Sequence, residues 1–202
     1  MKLYYMPGAC SLSPHIVANE LGIPLALVKV DDAKKTSDGE DFWAINPKGY
    51  VPAVQLDNGQ LLTEGTAIVQ YLADRKPESK LAPAAGSFER VRMQETLGYI
   101  NSEIHKSYSP LFNPKTPDEV RAERVEYLLK RYVLLEKQLE GKQYLFGDQF
   151  SVADAYLFTV TTWAAYVKLD LSGFPNLLAF QARVATRPAV HQALVAEGLA
   201  KA

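Results

Sequence analysis

The stretch Met1-Lys2-Leu3-Tyr4-Tyr5-Met6-Pro7-Gly8-Ala9-Cys10-Ser11-Leu12-Ser13-Pro14 decides the fold. Leu3-Tyr4-Tyr5 reads as a short apolar strand, and Pro7-Gly8 as the turn that ends it. Ser11 or Ser13 can then N-cap a helix whose first turn suits Pro14. That helix runs to Leu21, where Gly22 is a good C-terminal stop. Leu25 to Val30 reads as a second strand. Strand, helix and strand in this order predict a parallel βαβ unit.

Further along, Asp31 to Asp41 is polar and contains Lys34 and Lys35. Asn46-Pro47-Lys48-Gly49-Tyr50-Val51-Pro52 follows. Ala53-Val54-Gln55-Leu56 and Gln60-Leu61-Leu62 flank Asp57-Asn58-Gly59, a hairpin signal. Glu64-Gly65-Thr66 opens an amphipathic helix with Ile68, Val69 and Leu72 facing inward. Composition shifts at Pro77 to Ser87, where Pro, Ser, Ala and Gly dominate and periodicity ends. No strand patterns follow. Leu97, Ile100, Ile104 and Tyr108 recur at helical spacing. Thr116-Pro117-Asp118-Glu119 reads as a capping box with proline at the first helical position. Its helix carries Val125, Leu128, Tyr132, Leu135 and Leu139 and ends near Gly141. Ser151-Val152-Ala153-Asp154 is a second capping box, read as serving folding and not chemistry. The expected architecture is an α/β domain over 1–78, a linker over 79–87 and an all-helical domain over 88–202.

The bulk numbers bound the function. A chain of 202 residues buries roughly 70% of its unfolded surface and can hold a core without disulfides or metals. Its single cysteine excludes an intrachain disulfide, and three scattered histidines offer no zinc-type spacing, so no metal is expected. Lys and Arg total 22 against 23 Asp and Glu, which argues against a nucleic-acid binder. Ala155 to Val167 is the most apolar later stretch. It is too short and, with Thr159, Thr161 and Thr162, too polar to span a bilayer, so no membrane partner is expected. Pro7-Gly8 interrupts any signal-peptide core. A cytoplasmic location is expected.

Cys10 sits where the first strand gives way to the first helix. A thiol at a helix N-terminus faces unsatisfied N–H groups and the positive end of the helix dipole, and both favour the thiolate. The dipole contributes ~0.3–1 kcal/mol at exposed sites, less than the ~1.4 kcal/mol of one pKa unit. A larger shift calls for direct hydrogen bonds, for which the Ser11 hydroxyl and nearby N–H groups are candidates. Lowering a thiol from ~8.5 to ~6.5 makes the thiolate the major form at pH 7. Ser13 stands where Cys-x-x-Cys would place a second thiol, which excludes a dithiol oxidoreductase. Two chemistries stay open: a mixed disulfide with an external small thiol, and a Cys–His hydrolase with His15 or His105 as base. His15 lies five residues after Cys10, on another helix face, and reads as structural. A cis proline at Pro52 would turn the Val51 backbone outward, where an extended peptide can pair with it. The N–H groups at Glu64-Gly65-Thr66 suit a carboxylate, and Glu64 an amino group.

These segments, with Leu62-Thr63-Glu64-Gly65, Glu103-Ile104-His105-Lys106, Ser151 to Phe158 and Ala196-Glu197-Gly198-Leu199, resemble the bacterial beta class of cytosolic glutathione transferases across the whole chain. The resemblance implies a thioredoxin-like N-terminal domain, an all-helical C-terminal domain, a homodimer and glutathione as co-substrate. It implies that Cys10 contacts the glutathione sulfur and can form a mixed disulfide with it. Ser11 and His105 assist by hydrogen bonding or proton transfer. Val51 pairs with the cysteinyl part, Glu64 and Gly65 bind the γ-glutamyl end, and Lys35 lies near the glycyl end. His105 and Lys106, with Tyr108, Phe112 and Trp163, line the thiol and the pocket for a hydrophobic electrophile. Ser102 and Glu103 match the segment through which the partner subunit completes the site. Conjugation, dehalogenation and disulfide exchange are all compatible, and a non-enzymatic binding module of the same fold is the alternative. Two positions depart from the pattern. Gly65 replaces a common serine, leaving Thr66 or the helix end to compensate, and Gly98 replaces a common asparagine, for which Asn101 is a candidate substitute. Gly98, Ser102, His105 and Ser109 form a small polar stripe suited to a cleft wall.

Overall fold

Leu3, Tyr4 and Tyr5 are all buried, although neighbouring side chains on a strand point to opposite faces. The strand they form must therefore be covered on both sides. The computed structural model describes residues 1–201, which divide into two compact units: residues 1–79 with those from 186 onward, and residues 80–185.

In the first unit, β1 (Lys2–Tyr5), α1 (Leu12–Glu20) and β2 (Ala26–Lys29) form the expected parallel βαβ unit, with Lys2 opposite Ala26 and Tyr5 opposite Lys29. The hairpin of β3 (Ala53–Gln55) and β4 (Leu61–Thr63) joins it antiparallel, giving the order β2-β1-β3-β4. Gly59, at φ +83°, turns the hairpin where a side chain would be strained. Just after the polar segment lies α2 (Phe42–Ile45), which the sequence pattern did not predict. Four residues are too few to hold a helix by themselves. Asp41 caps it by accepting from the Trp43 N–H, and Phe42 is wholly buried among Tyr4, Val28, Val30 and Ala53. A fully buried phenylalanine contributes ~1.5–3 kcal/mol, and this anchors the turn. The helix α3 (Gly65–Asp74) buries Ile68, Val69 and Leu72 as the pattern predicts, with Ala73 added.

The chain's last helix changes the expected division. Every residue of α1 from Leu12 to Ala18 is buried, so this helix needs cover on more than its sheet-facing side. It packs against α3 and against α9 (Pro188–Ala196), whose Val190 and Ala193 are buried. The Arg187 guanidinium also forks onto the Glu20 carboxylate, with N–O distances of 2.6 and 2.9 Å. Residues 186–202 thus belong with the first unit and not with a helical domain running over 88–202.

The second unit contains α4 (Phe88–Tyr99), α5 (Lys106–Phe112), α6 (Asp118–Leu139), α7 (Val152–Val167) and α8 (Pro175–Ala185). Between α4 and α5 the backbone runs through a π-helical turn, Ile100–His105, where the Lys106 N–H reaches back five residues to the Asn101 carbonyl. Leu97, Ile100, Ile104 and Tyr108 form the buried seam the spacing predicts. On α6, Leu128, Tyr132, Leu135 and Leu139 are buried, while Val125 is only partly so. The first expected capping box is not formed: Pro117 occupies the N-cap position and no side chain caps α6. A residue before proline is pushed toward extended backbone, and here the helix begins one residue later than the pattern suggests. The second box is formed. Asp154 accepts from the Ser151 N–H and hydroxyl and from the Leu145 N–H at 2.6–2.8 Å, fully buried. The helix it opens is buried almost throughout. Among the described residues, no helix is long and apolar enough to cross a membrane.

Candidate functional site

Within the first unit, α1 starts just after Cys10, with Ser11 at its N-cap. The half-buried Cys10 thiol donates to the Val51 carbonyl oxygen, with Sγ at 3.2 Å. The turn ahead of it is fixed by backbone and side chain together. Gly8 takes φ +71°, and the Ala9 N–H bonds to the Met6 carbonyl at 3.1 Å. The Ser11 hydroxyl accepts from the Met6 N–H and donates to the Met6 carbonyl, both at 3.2 Å. Ser11 is wholly buried, so its hydroxyl clamps the turn that carries Cys10. Glu197 holds the other side. Its Oε2 accepts from the Gly8 N–H at 2.9 Å, and its Oε1 lies 2.9 Å from His15 Nδ1. Both side chains are buried, which gives His15 its structural role. Tyr5 is also buried, and burial together with the Glu197 charge raises its phenol above the ordinary range.

Val51 reaches the thiol because Asn46 braces its loop. The buried Asn46 carboxamide donates to the Tyr50 carbonyl at 2.8 Å and accepts from the Lys48 N–H at 3.2 Å. Gly49, at φ +67°, lies under the Trp43 ring, where a Cβ would come within 2.3 Å of it. The Val51–Pro52 bond is cis, as expected for this site. Beyond β4, Glu64 is at φ +68°, a region costly for a side-chain-bearing residue and found where a ligand is clamped. Its side chain does not cap α3. Instead the carboxylate takes the Lys48 ammonium at 2.6 Å, and Lys48 also donates to the Thr63 hydroxyl at 2.9 Å. As the first residues of α3, Gly65 and Thr66 have N–H groups outside the intrahelical ladder. A Cβ on Gly65 would meet only the Pro52 ring, at 3.6 Å. Lys35 is exposed; its backbone N–H bonds to the Asp31 carboxylate at 2.8 Å and it bridges to Asp41.

Within the second unit, His105, Tyr108, Phe112 and Trp163 gather into one aromatic cluster. The His105, Tyr108 and Phe112 rings each present an edge contact to Trp163, with centroids 4.8, 5.6 and 5.7 Å away. Phe112 is about half exposed (48%), while Tyr108 is fully buried. The Tyr108 and Tyr132 hydroxyls pair at 2.9 Å, and burial raises both phenols, Tyr132 up to about 12. Burial, and the Lys106 charge after it, lowers the His105 imidazole to about 4. His105 Nδ1 lies 2.5 Å from the Tyr156 hydroxyl, which donates to Asn101 Oδ1 at 2.9 Å. The Asn101 oxygen thus takes one hydrogen bond from Tyr156. Lys106 is exposed. The Ser102 hydroxyl donates to the Gly98 carbonyl at 3.1 Å and to Glu103. Glu103 accepts from the Tyr127 hydroxyl and pairs with Arg131 at 3.0 Å. Tyr127's donation, above all, holds the Glu103 carboxyl below its usual range.

Sequence reasoning gave no role to Asn46, Tyr156 or Glu197. Asn46 had a signal, since Asn-Pro-x-Gly is turn chemistry. Tyr156 carried only a general one, that a buried phenol seeks a partner. Glu197 had none, because its contact with Gly8 spans 189 residues.

Comparison with known proteins agrees with this arrangement. Residues 8–75 match the family described as Glutathione S-transferase, N-terminal domain, and residues 99–188 match Glutathione S-transferase, C-terminal domain. Glutathione S-transferase GstA of Escherichia coli O157:H7 is 48% identical over 200 residues, covering 98% of this chain and all of that one. A sphingomonad glutathione S-transferase solved in complex with glutathione superposes with a TM-score of 0.95 at 48% identity, over 99% of this chain and 100% of that chain. The beta-class glutathione S-transferase of Sphingomonas chungbukensis does so with a TM-score of 0.95 at 46% identity, over the same shares. A chain that carries both domains in order, matches these relatives over nearly its whole length and holds a thiol at the start of α1 belongs to the glutathione S-transferase family, in its bacterial beta class.

Proposed function

We propose that the protein is a glutathione transferase whose Cys10 meets the glutathione sulfur and whose His105 assists at it. The observation that carries this reading is the Cys10 thiol on the Val51 carbonyl, at the residue whose backbone would pair with the cysteinyl part of the tripeptide. The N–H groups that open α3 and the Glu64 carboxylate suit the γ-glutamyl carboxylate and amino group. Lys35 serves the glycyl end. Ser11 works by holding the turn and not by touching the thiol. Lys106, Tyr108, Phe112 and Trp163 form the electrophile pocket, with half-exposed Phe112 as its accessible ring. In this reading the enzyme is a cytoplasmic homodimer, with Ser102 and Glu103 completing the partner's site.

Two reactions follow. In conjugation the glutathione thiolate attacks an electrophilic carbon, a carbon–sulfur bond forms, and the leaving group departs with its electron pair. In exchange the Cys10 thiolate attacks oxidised glutathione, a mixed disulfide forms, and one glutathione leaves as thiolate. The test is an intact mass after incubation with oxidised glutathione. The expected result is an adduct of one glutathione that is lost in Cys10→Ala. No adduct, or one that survives the substitution, would refute the role of Cys10. If the protein also fails to bind a glutathione matrix, the binding-module alternative replaces this reading.

A further inference from the structure

The hairpin loop Asp57-Asn58-Gly59 carries a chemistry that glutathione binding does not use. Of the six asparagines in the chain, only Asn58 precedes a glycine. Glycine has no side chain to shield its own nitrogen, so that nitrogen can approach the preceding carboxamide closely. Asn58 and Gly59 are both exposed, so water and hydroxide reach them. The closed turn works against such an approach. The Gly59 N–H donates to the Leu56 carbonyl at 2.9 Å, and the Leu56 N–H donates to the Gln60 carbonyl at 2.8 Å. Gly59 is left-handed, at φ +83°, while the central residues Asp57 and Asn58 are not. This is a type I turn closed by a bulge. The third residue of such a turn has ψ of about 0°. The Gly59 nitrogen therefore lies over the Asn58 nitrogen and is turned away from the Asn58 Cβ. The side chain is held as well, since Asn58 Oδ1 accepts from the Gln60 N–H at 3.0 Å.

We propose that Asn58 is a site of spontaneous modification by water, guarded by the closed turn and released when the β3–β4 hairpin opens. In the first step hydroxide takes the Gly59 amide proton, and the nitrogen attacks Asn58 Cγ. A carbon–nitrogen bond closes a cyclic imide. The side-chain nitrogen leaves as ammonia after taking a proton from water, which restores the hydroxide. Water then opens the imide at either carbonyl and yields aspartate or isoaspartate. The step needs no oxidant or reductant. The place of the loop in the fold makes opening accessible. β4 is an edge strand, and each strand of the hairpin has three residues. Short elements at an edge open at lower cost than the whole fold. Either product adds a carboxylate next to Asp57, whose own carboxylate holds the Met1 ammonium at 2.7 Å. Isoaspartate also lengthens the loop backbone by one carbon.

The experiment incubates the full protein at mildly alkaline pH, with and without denaturing urea, and follows every asparagine by peptide mass and fragmentation. A peptide of residues 53–63, kept in both buffers, gives the rate without the turn's protection. In urea, Asn58 should convert ahead of the other asparagines and at the rate of the peptide. In the folded protein its conversion should be slower on the order of tenfold, the worth of the hydrogen bond from Gly59 to Leu56. Folded protein that converts at Asn58 as fast as the peptide, or faster, overturns the guarding role of the turn. An unfolded chain in which another asparagine converts first overturns the assignment of the site.

Discussion

The Glu197 carboxylate accepts from the backbone N–H of Gly8 at 2.9 Å, across 189 residues of sequence. Gly8 is two residues before Cys10, so a side chain near the C-terminus sets the turn that carries the thiol. The same carboxylate engages His15 and is wholly buried. Glu197→Ala leaves the buried His15 ring without this partner and takes one acceptor from the Gly8 turn, so a loss of about 1–3 kcal/mol is expected. Glu197→Gln keeps one acceptor and should lose less. Denaturant midpoints at constant slope report this, and equal midpoints for wild type and Glu197→Ala would show that the contact carries nothing.

Gly65 lacks the hydroxyl that the family commonly places at this position, yet the site has room for it. A Cβ at this position would have Pro52 Cγ as its nearest neighbour, at 3.6 Å, an ordinary contact. Gly65→Ser should therefore fold normally and add one hydrogen bond to the γ-glutamyl carboxylate. A bond of ~0.5–1.5 kcal/mol corresponds to roughly two- to tenfold tighter glutathione binding. Titration calorimetry measures it; unchanged or weaker affinity refutes the placement of the γ-glutamyl end at α3.

Asp154 satisfies three donors from inside the second unit. Asp154→Ala removes the N3 half of the α7 capping box and leaves the Leu145 and Ser151 N–H groups buried without that acceptor. Each stranded donor costs ~1–3 kcal/mol, so a loss of at least about 2 kcal/mol is expected. Because Asp154 serves folding, the kcat of the folded fraction should be unchanged. A fall in kcat without a fall in stability would reverse that assignment.

His105 makes stability depend on pH. Its folded pKa is about 4 against an ordinary 6.5, so between those values the unfolded chain binds the proton more tightly. The contribution is intact above 6.5 and is lost as pH falls toward 4, by about 2 kcal/mol between pH 7 and pH 5. His105→Gln removes this component. Urea unfolding of both proteins at the two pH values gives the comparison, and equal pH slopes for the two would contradict a neutral buried ring.

The elements were legible where local chemistry was strong. The βαβ unit, the hairpin and the Ser151–Asp154 box follow from turn residues, periodicity and caps within a few positions of one another. Reading failed where a distant partner decided the outcome. The helix α2 depends on Phe42 finding the Tyr4 face of the sheet, with ring centroids 5.7 Å apart, which no window around residue 42 reveals. The π-helical turn is invisible to a pattern search because the buried seam through Leu97, Ile100, Ile104 and Tyr108 keeps its ordinary spacing. At the candidate site, the place of Cys10 just ahead of α1 was legible from Pro7-Gly8. The roles of Ser11 and Glu64 were not, because a hydroxyl or carboxylate at a helix start has several possible partners. Here Ser11 turns to Met6 and Glu64 to Lys48.

The first unit is discontinuous in the chain, with the segment from residue 186 onward packed against residues 1–79. Translation proceeds at roughly 5–20 residues per second. The strand, helix and hairpin elements therefore leave the ribosome several seconds before the segment that covers α1. Through that interval α1 lacks its α9 neighbour and Gly8 its carboxylate. The Cys10 turn is completed only once Glu197 has been made, so a nascent chain stalled short of Glu197 displays the cysteine without the support that shapes its site.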